Sequence, residues 1–110
     1  MINKVILIGN LGKDPEIKYV SDGKAVCNFS LATTMKSKDK EYTEWHRIVV
    51  WGKMAEPCAE YLKKGSSAYV EGRIQTNKFT DKEGVERYST DIVAEKVQFL
   101  SKPKEENIPF

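Results

Sequence analysis

Trp45 and Trp51 flank Arg47 in the stretch Thr-Glu-Trp-His-Arg-Ile-Val-Val-Trp-Gly. In an extended strand alternate residues share a face. Trp45, Arg47, Val49 and Trp51 then line one side, and His46, Ile48 and Val50 the other. Phe79 ends a later strand-like run, and Lys53, Lys64 and Lys78 punctuate the same part of the chain. An aromatic face stacks on any nucleobase, worth about 1–3 kcal/mol per base, because every base has a π-face. Lysine and arginine follow backbone phosphates. Exposed aromatics interleaved with cations are therefore the chemistry of single-strand nucleic-acid binding. The rival reading buries both tryptophans in a core. Arg47 opposes it, since a Trp-Arg-Trp face makes a poor core, whereas Ile48 and Val50 fit one. His46 then reads as an inner-face or subunit-interface residue rather than a ligand.

Other chemistries lack their parts. The chain has one His, no Gly-x-Ser-x-Gly elbow and no phosphate-cradling loop. No nucleophile, base and orienter can be assembled, so an enzyme is not indicated. No Cys pair stands at metal-ligand spacing, and no cofactor is implied. Cys27 and Cys58 are too few for a disulfide framework and read as small buried residues in a reducing compartment. Lys36, Lys38 and Lys40 sit in a polar stretch that could clamp a strand of nucleic acid. Asp39 and Glu41 interrupt them, so a solvated loop stands beside that reading. Glu71 and Asp91 fall within strands, where pairing in a network or interface is the default.

The elements that must position these residues follow from pattern. Val5 to Ile8 is a short β-branched run bounded by Gly9 and Gly12, a buried strand. Residues 17–20 can pair briefly, and Ser21 to Lys24 is a hairpin turn. Strands are expected over 25–34 and 43–52, with residues 35–42 as a loop between them. Met54, Cys58, Tyr61 and Leu62 make the apolar stripe of a helix over 54–63, with Pro57 in its first turn. Lys63, Lys64 and Gly65 close it. Strands over 67–80 and 86–99 follow, joined by the tip Asp81-Lys82-Glu83-Gly84, and Gly72 marks a bulge or barrel bend. Three strands, one helix and two strands match an all-β five-stranded OB-fold Greek-key barrel, its helix between strands three and four.

The chain of 110 residues is one domain's length. Eighteen basic against sixteen acidic residues give a net charge of +2, so affinity for nucleic acid must come from local placement. No apolar run is long enough to span a membrane. The first residues lack a signal peptide's pattern, so a cytoplasmic protein is expected. The barrel should occupy residues 1–100, and residues 101–110 a short disordered tail.

Several stretches, in order along almost the whole chain, carry a resemblance. They are Asn-Lys-Val-Ile-Leu-Ile-Gly-Asn-Leu-Gly-Lys-Asp-Pro-Glu (3–16), Phe-Ser-Leu-Ala-Thr (29–33), Thr-Glu-Trp-His-Arg (43–47), Trp-Gly-Lys (51–53), Glu-Tyr-Leu-Lys-Lys-Gly (60–65), Tyr-Val-Glu-Gly-Arg (69–73) and the ending Ile-Pro-Phe. Together they resemble the bacterial single-stranded DNA-binding proteins. That resemblance implies an OB-fold homotetramer that wraps single-stranded DNA without sequence preference. It makes Trp45, Trp51 and Phe79 the base-stacking aromatics. Arg47, Lys53, Lys64 and Lys78 match basic positions of the DNA path, and Arg73 is counted with them. His46 matches a residue near subunit contacts.

Two departures from the family pattern stand out. Members often carry a further tryptophan after the second strand, where this chain reads Met35-Lys36-Ser37-Lys38. Members also have a long linker before an acidic tip, where this chain has only about Ser101 to Lys104. The tip Glu105-Glu106-Asn107-Ile108-Pro109-Phe110 still resembles the family's docking peptide for replication and repair enzymes. Phe110 would fill an apolar pocket, its carboxylate and the glutamates meeting basic groups, with Asn107 in place of a usual acid. The short tether suggests a phage, plasmid or accessory version. The expected role is to protect exposed strands in replication, recombination and repair. Rival readings are an RNA-binding OB module and a primosome-type adaptor, itself an OB-fold, whose main contacts are with protein.

Overall fold

The computed structural model describes residues 1–101. Six strands form: β1 (Val5–Leu11), β2 (Glu16–Tyr19), β3 (Ala25–Ser37), β4 (Lys40–Trp51), β5 (Ser67–Thr80) and β6 (Glu86–Ser101). A 3-10 turn (Gly52–Met54) and one helix, α1 (Ala55–Tyr61), lie between β4 and β5. The hydrogen-bonded order is β1-β5-β6-β4-β3-β2, and a further β1–β3 pairing closes five strands into a barrel. β2 stays outside that ring on the edge of β3. Among the described residues only β4 and β6 run parallel, through Arg47↔Asp91, Ile48↔Ile92 and Val49↔Val93. The expected five-stranded barrel with a helix between its third and fourth strands is found.

Period-2 alternation builds the core. Cys27, Phe29 and Leu31 of β3, Ile48 and Val50 of β4, Val70 of β5 and Ile92 of β6 point inward and are buried. Cys58 of α1 and Leu62 plug one end. Burial pushes the Cys27 thiol up to about 11 and the Cys58 thiol up to about 12, with Cys27 adding to the latter. Both thiols are therefore protonated and inert as nucleophiles at neutral pH. At Gly72 the β5–β6 register slips, as expected there. A Cβ on that residue would lie 2.1 Å from the Val93 carbonyl oxygen, so only glycine permits the close approach.

Three expectations need correction. Residues 35–42 are not a loop: β3 and β4 continue as a paired hairpin arm, Met35 opposite Tyr42 and Ser37 opposite Lys40. Both faces of the arm meet water, so its sequence lacks the alternation that marks a half-buried strand. The helix is shorter than 54–63, because its first turn is 3-10 and Leu62 already has extended ψ of 142°. Tyr61 leaves the core stripe and stays exposed, its ring 5.8 Å from that of Phe99.

Candidate nucleic-acid interface

The outward face of β4 carries Trp45, 58% exposed, and Trp51, 49% exposed. Six residue steps at about 3.4 Å each separate them by roughly 20 Å. Arg47 lies between them, its side chain 63% exposed. Val49, on the same face, is buried, flanked by Asn28 of β3 and Val93 of β6. His46 faces inward at the barrel mouth, half-buried, its Nε2 2.8 Å from the Thr33 hydroxyl. The arrangement gives two half-bare indoles and a guanidinium on one rigid strand.

Neighbouring strands widen this face. Ala32 sits opposite Trp45, Ser30 opposite Arg47 and Val26 opposite Trp51. β2 adds Lys18 opposite Val26 and Glu16 opposite Asn28. A shallow groove beside Arg47 is lined by Lys13, Lys18, Asn28 and Ser30, with Asp14 and Glu16 at its side. Lys13 and Lys18 are cations that the sequence reading missed. Lys18 is placed by the pairing of β2 with β3 and Lys13 by the connection between β1 and β2, and the one local hint was the short run around Ile17.

Gly12 lies under the Trp45 ring, where a Cβ would come within 2.4 Å of the indole. Gly12→Ala should therefore displace Trp45 and weaken nucleic-acid binding by up to the worth of one stack, about 1–3 kcal/mol. The melting temperature should change little, since Trp45 is largely exposed. An oligonucleotide titration and a thermal melt check this together, and unchanged affinity would separate Trp45's position from binding.

The remaining expected residues are more dispersed. Lys53 follows Trp51 in the 3-10 turn and is exposed. The Lys64 backbone N–H donates to Asp14 Oδ1 at 2.8 Å, which brings Lys64 to the rim of the groove. Phe79 is half-exposed near the end of the β5–β6 hairpin. Its strand is not a neighbour of β4, since β6 lies between them. Arg73 is exposed on the same outward face of β5 as Phe79, and Lys78 lies on the opposite face. Lys78 pairs with Glu86 at 3.1 Å. The hairpin tip that carries Phe79 is braced by Asp81, which accepts from Arg87 Nε at 2.6 Å and from the Val85 and Glu83 N–H groups. The Arg87 bond, then the Val85 and Glu83 bonds, hold the Asp81 carboxyl below its usual range.

A polar node joins the β4 face to this hairpin. Asp91, 6% exposed, accepts from Asn77 Nδ2 at 2.9 Å and from Ser89 Oγ at 2.8 Å. Arg47 Nε lies 3.3 Å from its Oδ1. Glu71 pairs instead with Lys4 and accepts from the Tyr69 hydroxyl at 3.0 Å. The Lys4 bond, ahead of the Tyr69 bond, lowers its carboxyl. The default of network pairing thus describes both acids. Among the described residues no group of three His, Cys, Asp or Glu could hold a metal ion, and no helix is long and apolar enough to cross a membrane. The residues expected to dock partners, Glu105, Glu106, Asn107, Ile108, Pro109 and Phe110, and most of the expected linker, lie outside the described residues.

The model of the single-strand binding protein family matches residues 2–100. The chain is 55% identical over 104 residues to a protein of Xanthomonas campestris pv. campestris named single-stranded DNA-binding protein, covering 90% of this chain and 60% of that one. A protein of the same name from Xanthomonas axonopodis pv. citri is also 55% identical, with 90% and 58% covered. The chain thus spans about three fifths of the length of these relatives.

Proposed function

Because this chain belongs to the single-strand binding protein family, we propose that it binds single-stranded DNA without reading sequence. The observation that carries this is the row of Trp45, Arg47 and Trp51, bare on one strand face over a buried core. Half-exposed indoles lose favourable burial unless a ligand covers them, and a base does so while the guanidinium meets a phosphate. Lys13, Lys18, Lys53 and Lys64 extend the positive path around that row. Phe79 and Arg73 extend it along the β5–β6 hairpin, and Lys78 adds charge on the hairpin's other face.

Tryptophan fluorescence titration with poly(dT) tests this at two salt concentrations, with duplex DNA and poly(U) as competitors. Quenching that resists duplex and weakens with salt, at a log–log slope near −0.7 per neutralised phosphate, is the expected result. Equal competition by duplex would remove single-strand binding, and preferential displacement by poly(U) would favour the RNA reading.

The finer roles belong to the same proposal. The protein would work in the cytoplasm as a homotetramer, protecting strands exposed in replication, recombination and repair. Ile6 and Ile8 support assembly, since they are exposed on the outward face of β1, Ile8 opposite the half-buried Tyr69. Such an apolar patch usually finds a partner, with His46 near the contacts. Light scattering that returned the monomer mass of 12.5 kDa would overturn the tetramer. Residues 105–110 would recruit enzymes. Deleting Ile108 to Phe110 should then spare poly(dT) binding and abolish co-elution with those enzymes.

A further inference from the structure

Asp91 is a buried anion whose partners come from three strands: Arg47 of β4, Asn77 of β5 and Ser89 of β6. Its ion pair with Arg47 is closest at Nε, the stem end of the guanidinium. Among the described residues it is the one carboxylate that Arg47 pairs with. A guanidinium is a planar fork, so contact at Nε leaves its two terminal nitrogens able to engage a second acceptor. Ser89 and Asn77 fix the carboxylate in turn, one from each strand of the hairpin that carries Phe79.

Resting on the reading of the β4 face as the DNA surface, we propose that Asp91 is a positioning residue for binding. It holds Arg47 between Trp45 and Trp51 with its terminal nitrogens presented to a backbone phosphate. A free arginine would have to be ordered when DNA arrives. Here the ordering is already done in the unbound protein, by an anion that flanks the guanidinium from the neighbouring strand and is itself buried. A lysine at the same position could not serve in this way. Its ammonium is one point of charge on a flexible stem and lacks the planar fork that keeps one edge on Asp91 while turning another outward.

The test compares wild type, Asp91→Asn, Arg47→Ala, the double variant and Arg47→Lys, using a labelled oligo(dT) and anisotropy. Work at about 0.3 M NaCl screens the long-range charge change and exposes the ordering effect. Asp91→Asn should weaken binding about 3- to 10-fold, the scale of immobilising one long side chain. In the Arg47→Ala background the same change should cost less than about 2-fold, because its effect runs through Arg47. Arg47→Lys should fall nearer to Arg47→Ala than to wild type.

Equal losses in both backgrounds would make Asp91 merely structural and overturn the proposal. So would an Asp91→Asn protein that binds as tightly as wild type or more so, which would mean that the carboxylate only repels phosphate. If Asp91→Asn fails to fold, the exposed position 47 still decides: Arg47→Lys equal to wild type sinks the idea. Wild-type protein that ignored oligo(dT) would instead overturn the functional reading itself.

Discussion

Replacing Trp45 and Trp51 together by alanine is expected to weaken binding of oligo(dT) by about 2–6 kcal/mol, or roughly 30-fold to more than 10⁴-fold. That range is the sum of two stacks of about 1–3 kcal/mol each. Summing is justified because the rings are roughly 20 Å apart along β4 and share no partner. Each single variant should then show about half of the free energy. Fold stability should hold, since both rings are about half exposed and sit on the outward face. Anisotropy of a labelled oligonucleotide gives the affinity, because the fluorescent indoles are gone. A double variant within twofold of wild type would show that the face is misassigned and would bring the adaptor reading forward.

Leu31→Ala should have the largest effect on stability. Leu31 is fully buried and sits opposite Leu11 at the seam where β1 meets β3. That seam has only two paired positions, Asn10↔Ala32 and Leu11↔Leu31. The packing around it is tight: a Cβ on Gly9 would lie 3.2 Å from Leu31 Cγ. The surrounding strands cannot collapse into the space, so the loss should approach the upper part of about 2–5 kcal/mol. In a domain of this size that lowers Tm by on the order of 10–20 °C. Calorimetry checks it, and a shift of only a few degrees would mean that the seam relaxes around the hole. The fraction that stays folded should bind oligo(dT) as wild type does.

Where one face of a strand was buried and the other wet, the pattern was readable. The stretch 43–52 shows this: Ile48 and Val50 went inward, and Trp45, Arg47 and Trp51 went outward. The bend at Gly72 was equally legible, because a strand glycine has few other reasons to be there. Where both faces are wet, as between Met35 and Tyr42, nothing in the chain distinguished a paired arm from a loop. Tyr61 had helical spacing but was carried out of the stripe where the short helix ends. Non-local partners were invisible for a different reason. That Lys18 lies beside Val26, across β3 from Trp51, that β6 separates Phe79 from β4, and that Asp91 flanks Arg47 all depend on strand order and register. Those are fixed by the whole barrel, not by any window of sequence.

The pairing of β1 also bears on how the protein comes into being. Val5 lies opposite Gly72, and Asn10 opposite Ser67, so β1 finds its main partner among residues synthesised much later. At about 5–20 residues per second, roughly 2–8 s pass between synthesis of Ala32 and of Gly72. During that interval a nascent chain can form the β3–β4 hairpin, but β1 has only its short seam with β3. Its backbone edge and the side chains of Ile6 and Ile8 stay open to neighbouring ribosomes' products. Translation slowed between β4 and β5 would lengthen that exposure, so yield of soluble protein should fall with codon choices that stall the ribosome there. Such distant pairing also places refolding of the finished chain in the millisecond-to-second range of barrels rather than the microseconds of helical bundles.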